Sequence, residues 1–223
     1  AYVDADGKIA YGTLADALSN AKSGTTITLL KNSEANGDFL YISSDKTLDL
    51  NGKNLTVKGK LLAFGKVVDS TDGAGLLKVT DMVGSQMPSD NPSLPIYDTT
   101  ANGYRLYNYT CVGSKNNSGL TESGTVSFAF SLTMSDAAWG ALKNDDESVK
   151  FRYEATWGNA KLLLSFSDET FNTAEAKNGT TYGIMKVGGL DALKGAALTM
   201  KPVISCAFFE NMTMASSMYT PAN

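Results

Sequence analysis

Histidine is absent from the chain of 223 residues. Its absence excludes every Ser-His, Cys-His and His-metal arrangement, because no other unperturbed side chain changes charge near neutral pH. Arginine is scarce, with Arg105 and Arg152 alone, and the formal net charge is −4. Since binding to phosphate backbones needs a basic face, we expect no nucleic-acid partner. The composition also predicts neither a metal site nor a cofactor.

Long hydrophobic runs are missing as well. The longest, such as residues 61–64 and 162–164, are far too short to span a bilayer, so we expect no transmembrane segment. The chain starts at Ala1 rather than Met, which predicts a mature product whose signal peptide has been removed. Charged residues make up 19%, while Thr, Ser, Asn and Gly are abundant, as is typical of secreted β proteins. We therefore expect an extracellular or cell-surface location.

Cysteine is limited to Cys111 and Cys206. A disulfide between them would close a long loop and add about 4–5 kcal/mol in the chain-entropy model. Both residues lie in apolar, strand-like runs, where a free buried thiol behaves as an ordinary small hydrophobic side chain. The sequence favours free thiols.

The N-terminal segment predicts a hairpin followed by a helix. Residues 1–11 form two short strand patterns around Asp6-Gly7, a dipeptide suited to a tight turn. Over residues 13–22, apolar residues recur with helical spacing, with Thr13 placed to cap the helix. A β run follows at residues 26–30.

Short strands then alternate with corners of Gly, Asn or Asp. We predict them at residues 39–43, 46–50, 54–59, 60–64 and 75–80. Strands this short, with corners every six to ten residues, suit a parallel β-solenoid whose turns bury their faces against one another. The helix at residues 13–22 is then the cap over the first turn of the solenoid.

Proline marks a change in organisation. Pro88, Pro92 and Pro95, three of the five prolines, fall within residues 82–102, which lack periodicity and predict a linker or an extended crossover. We place a domain boundary near residue 95. The first domain is then residues 1–95 and the second residues 96–223.

Longer strands follow the boundary. We predict them at residues 104–113, 124–134, 148–156, 161–167, 180–187 and 198–207, with one helix at 135–142 capped by Ser135. Alternation is clear in one strand, where Val149, Phe151 and Tyr153 face away from Lys150. Six or seven such strands over this length predict an Ig- or fibronectin-like β-sandwich.

Two consecutive stretches carry a resemblance to a known group of proteins. YGTLADALSNAKSGTTITLLKN, followed by SSDKTLDLNGKNLTV, resembles the repeat-bearing cell-surface proteins of Gram-positive gut anaerobes, over residues 11 to about 80. The later LPIYDTTANGYRLYNYT and VKFRYEATW look like the β-sandwich that often follows in those proteins. The resemblance implies a short right-handed β-helix of the pectate-lyase kind, then a sandwich, displayed outside the cell. It implies no reaction.

Carboxylates are the remaining candidates for catalysis. A glycosidase needs two of them across a cleft. Asp49 alone interrupts an apolar strand, and alternation points it outward, while Asn51 at the next corner is suited to hydrogen-bond neighbouring backbone. The other first-domain aspartates considered sit mostly in corners, where Asp forms turns: Asp38, Asp45, Asp69, Asp72 and Asp81. A carbohydrate-active enzyme using carboxylates alone stays open as an alternative.

Aromatic residues offer a binding hypothesis. Tyr107 and Tyr109 share a strand face with Arg105, and Trp157 lies at a Trp-Gly-Asn turn. Exposed rings beside polar groups suit sugar stacking, although rings in sandwich strands more often belong to the core. We predict a non-enzymatic cell-surface module for adhesion or for binding a glycan or host ligand through these four residues. A structural spacer in a surface array is the third alternative.

Overall fold

The computed structural model of the chain describes residues 2–3, 9–10, 12–82, 87–88, 90–116, 126–144, 149–157, 160–165, 171–177, 180–187, 198–206, 209–213 and 217–219. Within these residues the protein is mainly β, with nineteen strands and two helices. It divides into two compact units. Unit 1 comprises Ala1–Tyr109, Ser135–Val149 and Cys206–Glu210, and unit 2 comprises Thr110–Met134, Lys150–Ser205 and Asn211–Asn223.

The elements are, in chain order, β1 (Tyr2–Val3), β2 (Ile9–Ala10), α1 (Leu14–Asn20), β3 (Thr26–Thr28), β4 (Ser33–Ala35), β5 (Phe39–Ile42), β6 (Thr47–Asp49), β7 (Asn54–Ala63), β8 (Lys66–Val68), β9 (Leu76–Asp81), β10 (Ser93–Asp98), β11 (Gly103–Asn116), β12 (Val126–Met134), α2 (Asp136–Lys143), β13 (Lys150–Trp157), β14 (Ala160–Ser165), β15 (Phe171–Lys177), β16 (Thr180–Val187), β17 (Leu198–Cys206), β18 (Phe209–Thr213) and β19 (Ser217–Tyr219).

The N-terminal predictions agree with the structure. Strands β1 and β2 pair antiparallel, as the hairpin pattern predicts, while the turn at Asp6-Gly7 falls outside the described residues. Helix α1 begins after Thr13, whose hydroxyl accepts a 3.1 Å hydrogen bond from the amide of Asp16. This cap satisfies one of the amide donors that a helix leaves unpaired in its first turn.

Parallel strand pairs in two sheets organise much of the rest of unit 1, and the second sheet also contains antiparallel pairs such as β9 with β11. Strands β3, β6 and β8 form one sheet, and β4 and β5 pair with β7, which in turn pairs with β9, in the other. Because these strands alternate between the sheets along the sequence, the chain makes three successive passes through both.

Aliphatic side chains are aligned and buried along both sets of parallel strands. The register aligns Ile27 with Leu48 and Leu48 with Val67, and all three are fully buried. Leu55 and Leu77 are aligned and buried in the same way in the second sheet. Neighbouring strands lie about 4.8 Å apart, so each side chain packs directly on its counterpart in the next pass.

One predicted corner does not exist. Residues 54–59 and 60–64 were expected to be separate strands, but they form the single ten-residue strand β7. The interruption lies in the preceding pass instead, because β4 pairs with the first part of β7 and β5 with the second. Gly59 allows this arrangement, since a Cβ there would collide with the backbone oxygens of Gly37 and Asp38.

The expected linker over residues 82–102 also contains regular structure. Strand β10 occupies Ser93–Asp98 and pairs antiparallel with β11, with Pro95 opposite Leu106. A proline can be accommodated in a strand at a sheet edge, where its missing N–H breaks no ladder bond. The boundary proposed near residue 95 stays a prediction.

Unit 2 contains antiparallel strand pairs. Strand β16 pairs with β12 on one side and β15 on the other, and β13 pairs with β14 and β17. Strand β19 pairs with β17. Strands were predicted close to β12, β13, β14, β16 and β17, but β15, β18 and β19 were not predicted.

Candidate functional site

Asp69 is the most buried carboxylate described, with no exposed surface. One oxygen, Oδ1, accepts hydrogen bonds from the amide of Gly52 at 2.9 Å and from the amide and hydroxyl of Thr71 at 3.1 and 2.7 Å. The other oxygen, Oδ2, accepts a 2.6 Å bond from the amide of Gly75. These four donors compensate for the loss of water around the carboxylate.

Asp49 has a similar role one pass earlier. It is 8% exposed rather than pointing into solvent as expected, because its Oδ1 accepts bonds from the amides of Asn51 (2.8 Å) and Ser70 (2.9 Å). The side-chain amide of Asn51 donates to the carbonyl of Leu29, 22 residues earlier, at 3.0 Å. This contact confirms the prediction that Asn51 hydrogen-bonds neighbouring backbone at a corner.

The corner carboxylates therefore connect successive passes of the chain. A general acid or base must exchange a proton with substrate, which requires an accessible oxygen. Asp49 and Asp69 instead direct oxygens at backbone amides inside the protein. Their contacts are architectural.

Arg105 lies on β11, and its guanidinium donates hydrogen bonds to two other segments of the same chain. Its Nε donates to Oδ2 of Asp98 at 2.8 Å, and its Nη1 donates to the carbonyl of Gly73 at 3.0 Å. The guanidinium of Arg105 lowers the pKa of the Asp98 carboxyl from its usual value, with a further contribution from the amide of Ala101. The pair is partly shielded from solvent, with both side chains less than one-third exposed.

Tyr107 packs inside unit 1. It is 6% exposed, and this burial raises the pKa of its phenol. Its ring lies against Gly73, where an added Cβ would overlap the ring atoms. With so little of its surface accessible, this ring is part of the core rather than an open stacking surface.

The two remaining predicted site residues occupy different environments. Tyr109 is half-buried, and its hydroxyl donates a 3.1 Å hydrogen bond to the carbonyl of Asn91. Trp157 is the last residue of β13 in unit 2, and its side chain lies outside the described part of the chain.

A pocket brings Arg105 and Tyr107 together. It has a volume of about 260 Å³ and lies between the β10–β11 hairpin and helix α2, all within unit 1. Helix α2 begins where predicted, with the Ser135 hydroxyl accepting from the amide of Ala138 at 3.2 Å. The described residues that line it include Asp98, Thr99, Thr100, Ala137, Ala141 and Asn144.

A second surface feature was not anticipated. Strand β5 alternates regularly, with Leu40 and Ile42 buried while Phe39 is 60% and Tyr41 49% exposed. The ring of Tyr41 also contacts that of Phe64, with centroids 5.8 Å apart. We call Phe39, Tyr41 and Phe64 the aromatic platform. The sequence signals this surface through alternation, because Phe39 and Tyr41 occupy one face of the strand while Leu40 and Ile42 occupy the other.

The aromatic platform borders a depression with polar groups. The depression has a volume of about 390 Å³ and lies between β5 and α1, lined by Ser19, Ser43 and Lys46 together with Phe39 and Tyr41. Ser43 donates a hydrogen bond to Asp45, and this bond lowers the pKa of the Asp45 carboxyl. Exposed rings with polar groups at their margin are thus concentrated at one place.

The two cysteines are both free, as the sequence favoured. Cys111 lies on β11, where burial raises the pKa of its thiol to about 12. Because the thiolate is the reactive form, a thiol of this kind is inert at neutral pH.

No protein-family model matches the chain, and a search of curated proteins returns no match. In the part of the chain that the structure describes, neither helix has the length and apolar character needed to cross a membrane. The same residues contain no group of three or more Cys, Asp or Glu side chains placed to hold a metal ion.

Proposed function

We propose that the chain is a non-enzymatic module of an extracellular cell-surface protein and that it binds glycans through the aromatic platform. The proposed location is supported by the resemblance of residues 11 to about 80 to repeat-bearing surface proteins of Gram-positive gut anaerobes and by the composition. The binding function follows from the exposure of Phe39 and Tyr41, which is the observation that carries the proposal.

The proposed architecture of unit 1 is a short right-handed β-helix capped by α1. Three alternating passes through two sets of parallel strands support it, as do the stacked side chains of Ile27, Leu48 and Val67. For unit 2 we propose an Ig- or fibronectin-like sandwich, in keeping with its antiparallel pairs. A solenoid presents a flat outer sheet face, on which neighbouring aromatic residues form one continuous surface.

The physical case for a glycan rests on the mixed character of the surface. Removing a large aromatic ring from water is favourable, so a cluster of exposed rings marks an interaction site. Phe39 and Tyr41 are two residues apart on one strand face, a separation of about 6.6 Å. Sugar rings present C–H faces that pack on aromatic rings and hydroxyls that bond to polar groups, here Ser19 and Ser43 at the margin.

The test is a glycan array probed with four proteins. The wild-type chain is expected to bind, and Phe39→Ala/Tyr41→Ala is expected to lose at least about tenfold in affinity because stacking area is removed. Leu30→Ala removes another exposed apolar side chain outside the platform and serves as the matched control. Trp157→Ala tests the candidate predicted in unit 2.

The outcomes separate the hypotheses. Binding that is unchanged in Phe39→Ala/Tyr41→Ala contradicts a role for the aromatic platform, and binding lost in Trp157→Ala moves the site to unit 2. A wild-type chain that binds no glycan on the array favours the structural spacer.

The enzyme alternative has weaker support. A carboxylate-only glycosidase or lyase would need accessible acidic groups, whereas Asp49 and Asp69 accept backbone hydrogen bonds inside unit 1. Glycan turnover that disappears in a correctly folded Asp49→Asn variant would favour this alternative over the binding module.

A further inference from the structure

We propose that the pocket between the β10–β11 hairpin and α2 is a second binding site, which holds one neutral, hydroxylated sugar ring. The pocket shares no residue with the aromatic platform, so the proposal goes beyond the proposed function and stands independently of it. Its volume of about 260 Å³ lies below the usual range of about 300–1,000 Å³ for sites of drug-sized ligands. A single ring fits this size better than a chain.

The charges near the pocket decide between a neutral and an acidic ring. Arg105 is the cation among the described residues of the lining, and Asp98 pairs with it at 2.8 Å. Asp72 directly precedes Gly73, whose carbonyl accepts a hydrogen bond from Nη1 of Arg105. One positive charge against two negative charges leaves the surroundings negative, which disfavours a ligand carboxylate.

The remaining hydrogen-bonding capacity of Arg105 and Asp98 indicates that the polar groups of the ligand are hydroxyls. Arg105 has five N–H donors, and its contacts to Asp98, Gly73 and Ala74 engage Nε and Nη1. Its Nη2 has no hydrogen-bond partner among the described residues.

Asp98 retains acceptor capacity beside that donor. Its Oδ1 accepts from the amides of Thr100 and Ala101, and its Oδ2 accepts from Arg105. A carboxylate has about four acceptor positions, so one is left. A donor and an acceptor that have no further partner among the described residues lie on these two paired side chains, and together they match two adjacent hydroxyls, each of which both donates and accepts.

The walls suit the remaining surfaces of a sugar. Thr99, Thr100 and Asn144 line the pocket with hydroxyl and amide groups. Ala137 and Ala141, one helical turn apart on α2, contribute small methyl groups against which a C–H face can pack. Sites for small molecules commonly combine an apolar wall with a few convergent polar groups.

The experiment is a titration of the isotope-labelled full chain, followed by amide NMR, with glucose, galactose, N-acetylglucosamine and glucuronic acid as probes. We expect at least one neutral sugar to give saturable shifts at the amides of Thr100, Ala101 and Asn144. Glucuronic acid is expected to bind more weakly than glucose, because its carboxylate meets the negative surroundings.

Variants of α2 make the result specific while leaving the Arg105 contacts in place. Ala141→Leu fills the pocket and is expected to weaken binding at least about tenfold. Gly140→Leu adds the same side chain to the same helix at a position with open space around it, and is expected to bind normally. Phe39→Ala/Tyr41→Ala is likewise expected to leave these shifts unchanged. A loss of binding at the aromatic platform can therefore be distinguished from a loss of binding in the pocket.

Three results would overturn the proposal. They are the absence of saturable shifts with every neutral sugar, equal affinity in wild type and Ala141→Leu, and tighter binding of glucuronic acid than of glucose.

Discussion

Oδ1 of Asp69 accepts a 2.9 Å hydrogen bond from the amide of Gly52, which lies 17 residues earlier in the chain. The bond joins two successive corners of unit 1, and Oδ2 of the same carboxylate accepts from Gly75 at 2.6 Å. A single buried side chain thereby links its own corner to the corner at Gly52 and to Gly75, six residues later. The stability of the passes should depend on it.

Replacing Asp69 is expected to destabilise unit 1 strongly. In Asp69→Ala the amides of Gly52 and Gly75 lose their acceptors, at a cost of about 1–3 kcal/mol each. Urea unfolding followed by circular dichroism should show a loss of about 3 kcal/mol or more. The control is Ser70→Ala at the adjacent exposed position, expected within about 0.5 kcal/mol of wild type. Equal unfolding midpoints for the two variants would mean that the carboxylate contacts contribute little.

Gly73→Ala is expected to cost more than Gly24→Ala. Both glycines have positive φ angles, +87° and +76°, where an alanine loses about 1–2 kcal/mol. Only at Gly73 would the new Cβ also overlap the ring of Tyr107, while Gly24 has nothing within 4 Å. Overpacking of this kind adds about 1–3 kcal/mol. Thermal and urea unfolding of both variants should reveal this difference, and equal losses would show that the Tyr107 ring shifts freely.

The Asp98–Arg105 pair predicts a specific acid response. Because hydrogen bonding to Arg105 lowers the folded-state pKa of Asp98 below the ordinary value of an aspartate, the pair stabilises the fold fully above the unfolded pKa. That contribution is lost as the pH falls through the folded pKa. The difference in unfolding free energy between wild type and Asp98→Asn should stay constant from about pH 7 to pH 5 and shrink below about pH 4. Urea titrations across this range provide the measurement, and a difference that persists undiminished to about pH 2 argues against the pair.

Cys111 is expected to resist alkylation in the native protein. With its pKa raised to about 12 by burial, about one thiol in ten thousand is ionised at pH 8. In a Cys206→Ser background, iodoacetamide should modify Cys111 at least about a hundredfold more slowly in buffer than in denaturant, where the thiol pKa is about 8.5. Native-state labelling at the denatured rate would show that the thiol is accessible and readily ionised.

Local signals in the sequence predicted local structure well. The caps at Thr13 and Ser135 and the apolar spacing behind them identified both helices, because a cap and its helix lie within a few residues of each other. The β runs and the role of Asn51 at a corner could be predicted equally well, since turn residues and strand alternation act over short distances.

Features that depend on the register between passes could not be predicted in this way. The burial of Asp49 requires the amide of Ser70, 21 residues later, to reach its carboxylate. The continuity of β7 depends on which earlier strands pair with it, and the aromatic platform combines β5 with Phe64. Each involves contacts between distant segments, about which the pattern within one strand says nothing.

The central claim is that the protein binds a glycan through the aromatic platform without altering it. The most direct test incubates the wild-type chain with the glycans retained on the array, measures affinity by calorimetry and then determines the mass of the recovered ligand. We expect saturable binding that is weakened in Phe39→Ala/Tyr41→Ala, with every ligand recovered at its original mass. Recovery of shortened or unsaturated products, or undiminished affinity in that variant, would contradict the claim.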